Sequence, residues 1–313
     1  MRRISTATKV VDKWGAGKPG FTDGNAVTGI PATDLEAVFF DNVQEEICGV
    51  IEAAGLTVDG SSMAQLLTAV RQLSAGVVGS RGLTAQMAAA GTSLTINGVE
   101  TVMKSALGGL AYLDANWSDT LNTGTVGAGG MDIGTAPNSG FLAVYRIYNP
   151  TTKVKKLLGT NATSTAAPEV YAGANMPSGY TASALVSVWP TNGSGQFIVA
   201  NQRDRRIAFP LATLLNTNTT QAVFTALSIA GAVPKNAVRM TGKAQVGSST
   251  TSGAQGVVLA SGSNGAGACE ISLTGLVLAG YFDLLLPTQQ TIYYTLNGTS
   301  GIGLSLYCNS YDF

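Results

Sequence analysis

The feature that most limits how this chain can fold is a long series of short apolar segments beginning near residue 137. Residues 141–148 are apolar at both strand parities, which is typical of a buried strand. Residues 153–158 follow a turn and are expected to pair back on them. Similar strands and Gly/Ser/Thr turns continue to the last residue. The pattern predicts two β-sandwich-like domains, residues 136–206 and 207–313.

The chain is expected to close on a β-hairpin across a turn at residues 297–301. Apolar residues at one parity precede the turn and recur after it: Ile292, Tyr294, Leu296, Ile302, Leu304 and Leu306. Tyrosines are prominent in the same stretch: Tyr293, Tyr307 and Tyr311. Tyr293 and Tyr307 have the opposite parity to the apolar face. We interpret the three tyrosines as candidate contacts with sugars or protein loops, with packing in an oligomer interface as the alternative.

A helical region is predicted at residues 33–74. Thr33 and Glu36 have the spacing of a capping box. Apolar residues then recur at spacings of three and four, as on one face of a helix: Phe40, Val43, Ile47 and Val50. A second helix is expected from near Ser62. The pattern predicts a helical hairpin, and the alternative is that the apolar face is the seam of an oligomeric bundle.

Residues 1–32 are predicted to form an extended arm. They are rich in Gly and contain Pro19 and Pro31, without a helical or strand period. Such a segment buries little surface by itself, so we expect Trp14 and Phe21 to anchor it on a partner. Residues 75–135 are interpreted as a linker and mixed region.

Charge and hydropathy exclude several kinds of partner. Charged residues make up 12% of the chain and the formal net charge is zero, about half the usual charged fraction. This balance predicts no binding of nucleic acid, and a surface with few charges suits a protein covered by copies of itself. No apolar run reaches membrane-spanning length, so no membrane insertion is expected. The first residues lack the apolar core of a signal peptide, and we expect synthesis in a cytosol.

The residue types available for chemistry argue against an enzyme. The chain has no histidine, which excludes Ser-His-Asp and Cys-His nucleophile systems. Its three cysteines are too widely spaced for a metal motif or a disulfide framework, so no metal or cofactor is predicted. Asp283 beside Tyr281 and Phe282 would suit a glycan-binding groove, but glycan hydrolysis normally needs two carboxylates.

An ordered series of residues near the N-terminus resembles the start of tail fibre proteins of tailed bacteriophages and prophages. The pieces are residues 2–6, 14–18, 20–25, 29–33 and 39–46. The resemblance covers about residues 1–73 and implies a homotrimeric fibre in the virion. It also implies that the N-terminal region, with Trp14, Phe21 and Pro31, attaches to tail or baseplate proteins. The C-terminal β-domain would then bind a host surface glycan or protein, such as a pilus, lipopolysaccharide or an outer-membrane protein.

A second set of residues resembles a small β module that recurs in phage tail proteins, at residues 147–152, 177–181 and 192–195. Two other functions stay open at this point. One is a structural connector or baseplate protein that carries a separate receptor-binding protein. The other is a tailspike that depolymerises polysaccharide, which would need stacked β-helix repeats and clustered acids.

Overall fold

The computed structural model describes residues 2–74, 76–249, 255–273, 276–298 and 301–313. The chain divides into two compact units, residues 1–75 and 76–313. The first unit, called the N-terminal unit, holds both helices, and the second, called the β unit, holds the strands. The prediction of a mainly β protein with an N-terminal helical region is confirmed.

The helices of the N-terminal unit form the predicted hairpin. Helix α1 spans Ala37–Ala53 and helix α2 spans Gln65–Ser74. They meet at a small buried cluster of Ile51, Ala54 and Ala69. Helix α1 ends where Gly55 adopts a positive φ of 73°, which glycine reaches without steric cost.

The predicted capping box at the start of α1 is wrong. Glu36 is the residue before the helix, and no side-chain bond caps it. The Thr33 hydroxyl accepts the N–H of Thr22 at 2.9 Å, and the Glu36 carboxylate accepts the N–H of Ser5 at 2.8 Å. Both polar side chains bind the N-terminal arm, which competes with the helix for the same hydrogen-bonding groups.

The strands of the β unit begin within the segment that was interpreted as a linker and mixed region. They are β1 (Gly79–Arg81), β2 (Thr84–Met87), β3 (Ser93–Lys104), β4 (Ala111–Asn122), β5 (Phe141–Tyr148), β6 (Lys155–Asn161), β7 (Ala182–Pro190), β8 (Ala200–Arg203), β9 (Arg206–Thr217), β10 (Gln221–Ser228), β11 (Arg239–Ser248), β12 (Gln255–Ala260), β13 (Cys269–Leu273), β14 (Val277–Leu285), β15 (Thr291–Asn297) and β16 (Ile302–Asp312). Strands β1 to β4 correct that interpretation, because β3 and β4 form a long antiparallel ladder.

Two antiparallel sheets organise these strands. Within the described residues, β14, β11, β16, β9, β8, β2, β3, β7, β5 and β6 follow one another in a twelve-stranded sheet, and β1 and β4 each pair with β3. Strands β10, β15, β12 and β13 form a four-stranded sheet. The predicted pairing of residues 141–148 with the next strand is confirmed as β5 with β6.

The predicted terminal hairpin is wrong, because its two strands belong to different sheets. Strand β15 pairs with β10 and β12, whereas β16 pairs with β11 and β9. Leu296 and Leu304 instead lie in one buried core with Val257 and Met240, as expected for two sheets packed face to face. Of the turn between the strands, Thr299 and Ser300 lie outside the described residues.

The segments 136–206 and 207–313 share one sheet and one buried core. Strand β9 begins at Arg206 and pairs with β8 on one side and β16 on the other. The short turn between β8 and β9 is fixed by Asp204, whose carboxylate accepts the N–H of Leu83 at 3.0 Å. Independent folding of the two segments stays a prediction.

A buried group of charges ties β4 to β5 and β6. The Arg146 guanidinium contacts the carboxylates of Asp114 at 2.9 Å and Asp119 at 2.6 Å, and Lys155 also reaches Asp114 at 2.9 Å. The same guanidinium lies over the Trp117 ring, 4.6 Å from its centroid. Buried charges are tolerated only when they are paired in this way.

We expect the substitution Arg146→Ala to lower the free energy of unfolding of the β unit by about 3–5 kcal/mol, because it leaves two carboxylates without their main partner. Urea unfolding of the full chain, followed by fluorescence of the buried Trp117 and Trp189, measures the loss. The control Lys156→Ala removes an exposed partner 3.8 Å from Asp119 and should cost less than about 1 kcal/mol. Equal midpoints for the two variants would contradict the prediction.

Candidate functional site

The N-terminal arm folds back on the start of α1. Short antiparallel bridges join Val10 to Gly20 and Asn25 to Ile30, and Ile4 is buried. The ring of Phe21 packs edge-on against that of Phe39, with centroids 5.2 Å apart. The arm thus differs from the extended segment expected from its composition, because local turns and contacts with α1 order it without a partner.

Trp14 and Pro31 lie on the surface of this unit. The Trp14 side chain is 70% exposed, with the Lys13 ammonium 5.8 Å from its ring centroid. Trp14 and Phe21 border one cleft of about 230 Å³ together with Phe39 and Pro19. Two of the three predicted attachment residues therefore share one apolar cleft, while Pro31 is exposed.

The Glu36 carboxylate holds the arm against α1. Besides the Ser5 N–H, it accepts the Ser5 hydroxyl at 3.0 Å and lies 3.5 Å from the Arg2 guanidinium. The bond from the Ser5 amide, followed by that hydroxyl and by the positive charges of Arg2 and Lys9, lowers the pKa of Glu36 below its ordinary value. The charged carboxylate is therefore the form that favours the docked arm.

The predicted oligomer seam is largely exposed on α1. Phe40 is 48% exposed and Ile47 is 41% exposed, while Val43 is half-buried. Val50 differs, since it packs against the cluster between the two helices. The hairpin thus covers one end of the apolar stripe and leaves the remainder in solvent.

Helix α2 adds to this apolar surface. Its exposed side chains recur at helical spacing: Leu66, Leu67, Val70 and Leu73. Together with Phe40 and Ile47 they form what we call the helical apolar surface. A groove of about 400 Å³ lies between the helices, lined by Val50 and Leu73 and by the polar residues Glu45 and Glu46. Large apolar side chains exposed at helical spacing on both helices are a kind of surface that protein interfaces use.

Tyr311 is a core residue in this structure and not a contact residue. Its side chain has no exposed area, and its hydroxyl donates to the carbonyl of Val188 at 2.7 Å. Burial raises the pKa of its phenol. A β-bulge between Thr241 and Gly242 in the pairing of β11 with β16 shifts the parity of the last residues, and sequence alternation cannot reveal that shift.

The other two candidate tyrosines lie on different sheets. Tyr293 is half-buried on β15 of the four-stranded sheet, and Tyr307 is half-buried on β16 of the twelve-stranded sheet. The structure does not bring them to one surface. Tyr307 instead lies opposite Lys243, and Lys243 lies opposite the exposed Tyr281. Sequence reasoning did not single out Lys243, because only the register between three strands gives it these neighbours.

A cleft of the β unit has a volume of about 500 Å³. It is mainly apolar and is lined by Phe141, Pro190, Phe209 and Pro210. Of the polar side chains at its wall, the Thr191 hydroxyl already accepts the Gly140 N–H at 3.1 Å and donates to a backbone carbonyl, and the Asn192 side chain accepts the N–H of Gln196. The cleft therefore offers shape and apolar contact more than oriented polar groups.

The described part of the chain holds few side-chain groups suited to metal binding or thiol chemistry. No group of three or more His, Cys, Asp or Glu side chains there could hold a metal ion. All three cysteines are free, and burial raises the pKa of the Cys308 thiol to about 12. In the same residues, none of the helices has the length and apolar character needed to span a membrane.

Part of the chain is similar to a known protein. The chain is 55% identical over 73 residues to a protein of Escherichia coli (strain K12) named "Uncharacterized protein StfP". The match covers 23% of this chain and 35% of that protein, so it spans about a third of the relative's length. No protein-family model matches the chain.

We expect the substitution Glu36→Ala to loosen the arm, seen as several-fold faster hydrogen exchange at the Ser5 amide. Because the pKa of Glu36 is lowered in the folded chain, its contribution exists above the ordinary carboxyl pKa and is lost as the pH falls through the lowered value. The difference between wild type and variant should therefore disappear on acidification. Glu52→Ala, on an exposed position of α1, is the control, and equal protection in both variants would refute the role of Glu36.

Proposed function

We propose that this chain is a bacteriophage tail fibre protein that binds the host surface and catalyses no reaction. Its N-terminal unit attaches to tail or baseplate proteins, and its β unit reaches the host surface. The ordered N-terminal series that resembles phage tail fibres supports this proposal, as does the 73-residue similarity to StfP. The protein would be made in the bacterial cytoplasm and act in the virion.

The observation that carries the proposal is the helical apolar surface of the N-terminal unit. Phe40, Val43 and Ile47 repeat at spacings of three and four, with Phe40 and Ile47 exposed and Val43 half-buried, and this spacing is the pattern of a self-complementary helical seam. Two further copies of the chain would cover it in a homotrimer. Copies of this surface share its apolar character, and the low charge of the chain suits such packing.

The β unit is the part that would contact a bacterial glycan, pilus or outer-membrane protein. A trimer presents three such units, and several fibres on one particle multiply the contacts again. Multivalent attachment gives firm adsorption from weak individual sites. The antiparallel sheets also differ from the stacked repeats of a depolymerising tailspike.

The substitution Ile47→Asp is expected to convert the trimer to smaller species, because it would bury a charge in each copy of the seam. Analytical ultracentrifugation of the full chain measures the mass against the 31.9 kDa of one chain. The control Glu45→Gln removes a charge from the same helix, and we expect it to stay trimeric. A trimeric Ile47→Asp variant would place the contact between copies elsewhere, and a monomeric wild type would refute the trimer.

The substitution Trp14→Ala is expected to reduce incorporation of the protein into phage particles at least several-fold. Trp14 is exposed and supports little of its own unit, so the variant should fold normally while losing an apolar anchor. Immunoblotting of purified particles measures incorporation. Val99→Ala, an exposed apolar change in the β unit, is the control, and normal incorporation of Trp14→Ala would contradict the attachment role.

Adsorption separates this proposal from its rivals. Purified full-length protein should bind host cells and compete with phage adsorption. Failure to do so, with normal incorporation into particles, would favour a structural connector that carries a separate receptor-binding protein. Release of reducing sugar from host polysaccharide would contradict the non-catalytic proposal and favour a depolymerase.

A further inference from the structure

Three neighbouring strands of the twelve-stranded sheet align two tyrosines with one lysine. Lys243 on β11 is directly opposite Tyr281 on β14 and directly opposite Tyr307 on β16. Residues opposite one another in antiparallel strands point to the same face of a sheet. With about 4.8 Å between strands, the two tyrosine backbones lie about 10 Å apart with Lys243 between them. We call Tyr281, Lys243 and Tyr307 the tyrosine–lysine row.

The row lies on the face of the sheet that is turned away from the core. Along β11, Met240, Ala244 and Val246 are buried, and the intervening residues are half-buried or exposed. Tyr281 is 77% exposed, while Lys243 and Tyr307 are half-buried. Both tyrosine rings and the ammonium therefore reach a common surface without disturbing the core.

The surface around the row is polar on two of its three strands. Its further members on β11 and β16 carry hydroxyl or amide groups: Thr241, Gln245, Ser305 and Asn309. On β14 the same face carries Ala279 and, towards the ends of the strand, the exposed Val277 and Leu285. The part formed by β11 and β16 is less apolar than the core of a protein–protein interface normally is. Tyrosine beside hydroxyl and amide groups is instead suited to adaptable polar recognition.

The other charged side chains near the row form ion pairs with one another and not with Lys243. Arg239 pairs with Asp283 on β14, and Arg206 pairs with Asp312 at 2.7 Å. These four residues occupy the same end of the sheet and sum to zero charge. The Lys243 side chain forms neither a hydrogen bond nor an ion pair with any described residue. The row therefore carries one uncompensated positive charge between two aromatic rings.

We infer that the tyrosine–lysine row binds an acidic saccharide of the host surface, an inference that rests on the proposed function. The tyrosine rings would pack against the C–H faces of sugar rings. The Lys243 ammonium would pair with a carboxylate or phosphate on the saccharide, and the surrounding hydroxyl and amide groups would hydrogen-bond to sugar hydroxyls. Two other candidate sites lack such a cation among the described residues. No lysine lies opposite Tyr293 on the neighbouring strands, and none lines the apolar cleft of about 500 Å³.

Binding of the full-length protein to an array of bacterial saccharides tests the inference. The array holds uronate-containing and phosphorylated saccharides, each beside its carboxyl-reduced or dephosphorylated counterpart. Wild type should bind an acidic member and bind its neutral counterpart about tenfold more weakly. The two pairs of probes tell whether carboxylate or phosphate is recognised. The binding should also weaken with added salt, because the charged pair lies at the surface.

Two substitutions at exposed or half-buried positions then locate the site. Lys243→Gln should reduce binding of the acidic saccharide about tenfold and remove its salt dependence. Tyr281→Ala should reduce binding about five- to tenfold, also to the neutral counterpart, because it removes a stacking surface. The matched control Lys235→Gln changes a half-buried lysine outside the row and should bind as wild type does.

Three outcomes would overturn the inference while leaving the proposed function intact. The first is equal binding by Lys243→Gln and wild type. The second is normal adsorption of wild type to cells whose glycans have been oxidised by periodate, which identifies a protein receptor. The third is a change of sedimenting mass in Lys243→Gln or Tyr281→Ala, which assigns the row to contacts between copies. Wild type that adsorbs to no host cells refutes the proposed function itself.

Discussion

The β unit depends on the antiparallel pairing of β9 with both β8 and β16. This pairing joins strands from the two halves of the unit into one sheet and lets them share a core. Pro210 lies in the middle of β9 and cannot donate a ladder hydrogen bond. The register shift between Cys308 and Ser310 accommodates it, as bulges do for proline in other sheets. The bulge also reverses the parity of the last residues and turns Tyr311 into the core.

Local sequence patterns predicted where helices and strands lie better than they predicted which strands pair. Alternation at residues 141–148 located β5, and helical spacing from Phe40 located α1, because each pattern records burial of one stretch of chain. Pairing depends on residues far apart in sequence. The alternation of β15 and β16 suits a hairpin and a sandwich equally, and only the competing strands β10 and β11 decide between them. Strands β1 to β4, which lie among Gly-rich turns, were not predicted from the sequence.

The candidate site residues also divide into those whose placement local sequence predicts and those whose placement depends on distant parts of the chain. Exposure of Phe40 and Ile47 follows from the imbalance between a long apolar stripe and a short partner helix, so the sequence already contained the information. Glu36 and Thr33 lacked such a signal, since the arm that binds them is distant from the cap positions they resemble. Lys243 acquires its significance only from the register of three strands.

The few charges of the chain are distributed in a way that gives each unit a different kind of surface. In the β unit, Arg146, Arg205 and Arg239 are held by carboxylates, so their charges stabilise contacts between strands and offer little to a ligand. The Lys243 side chain, in contrast, has no charged partner among the described residues. In the N-terminal unit both helices expose large apolar side chains. Apolar surface is suited to permanent contacts between proteins, whereas a polar face with aromatic rings is suited to reversible recognition. The proposed division between assembly and binding thus follows the division of the chain into two units.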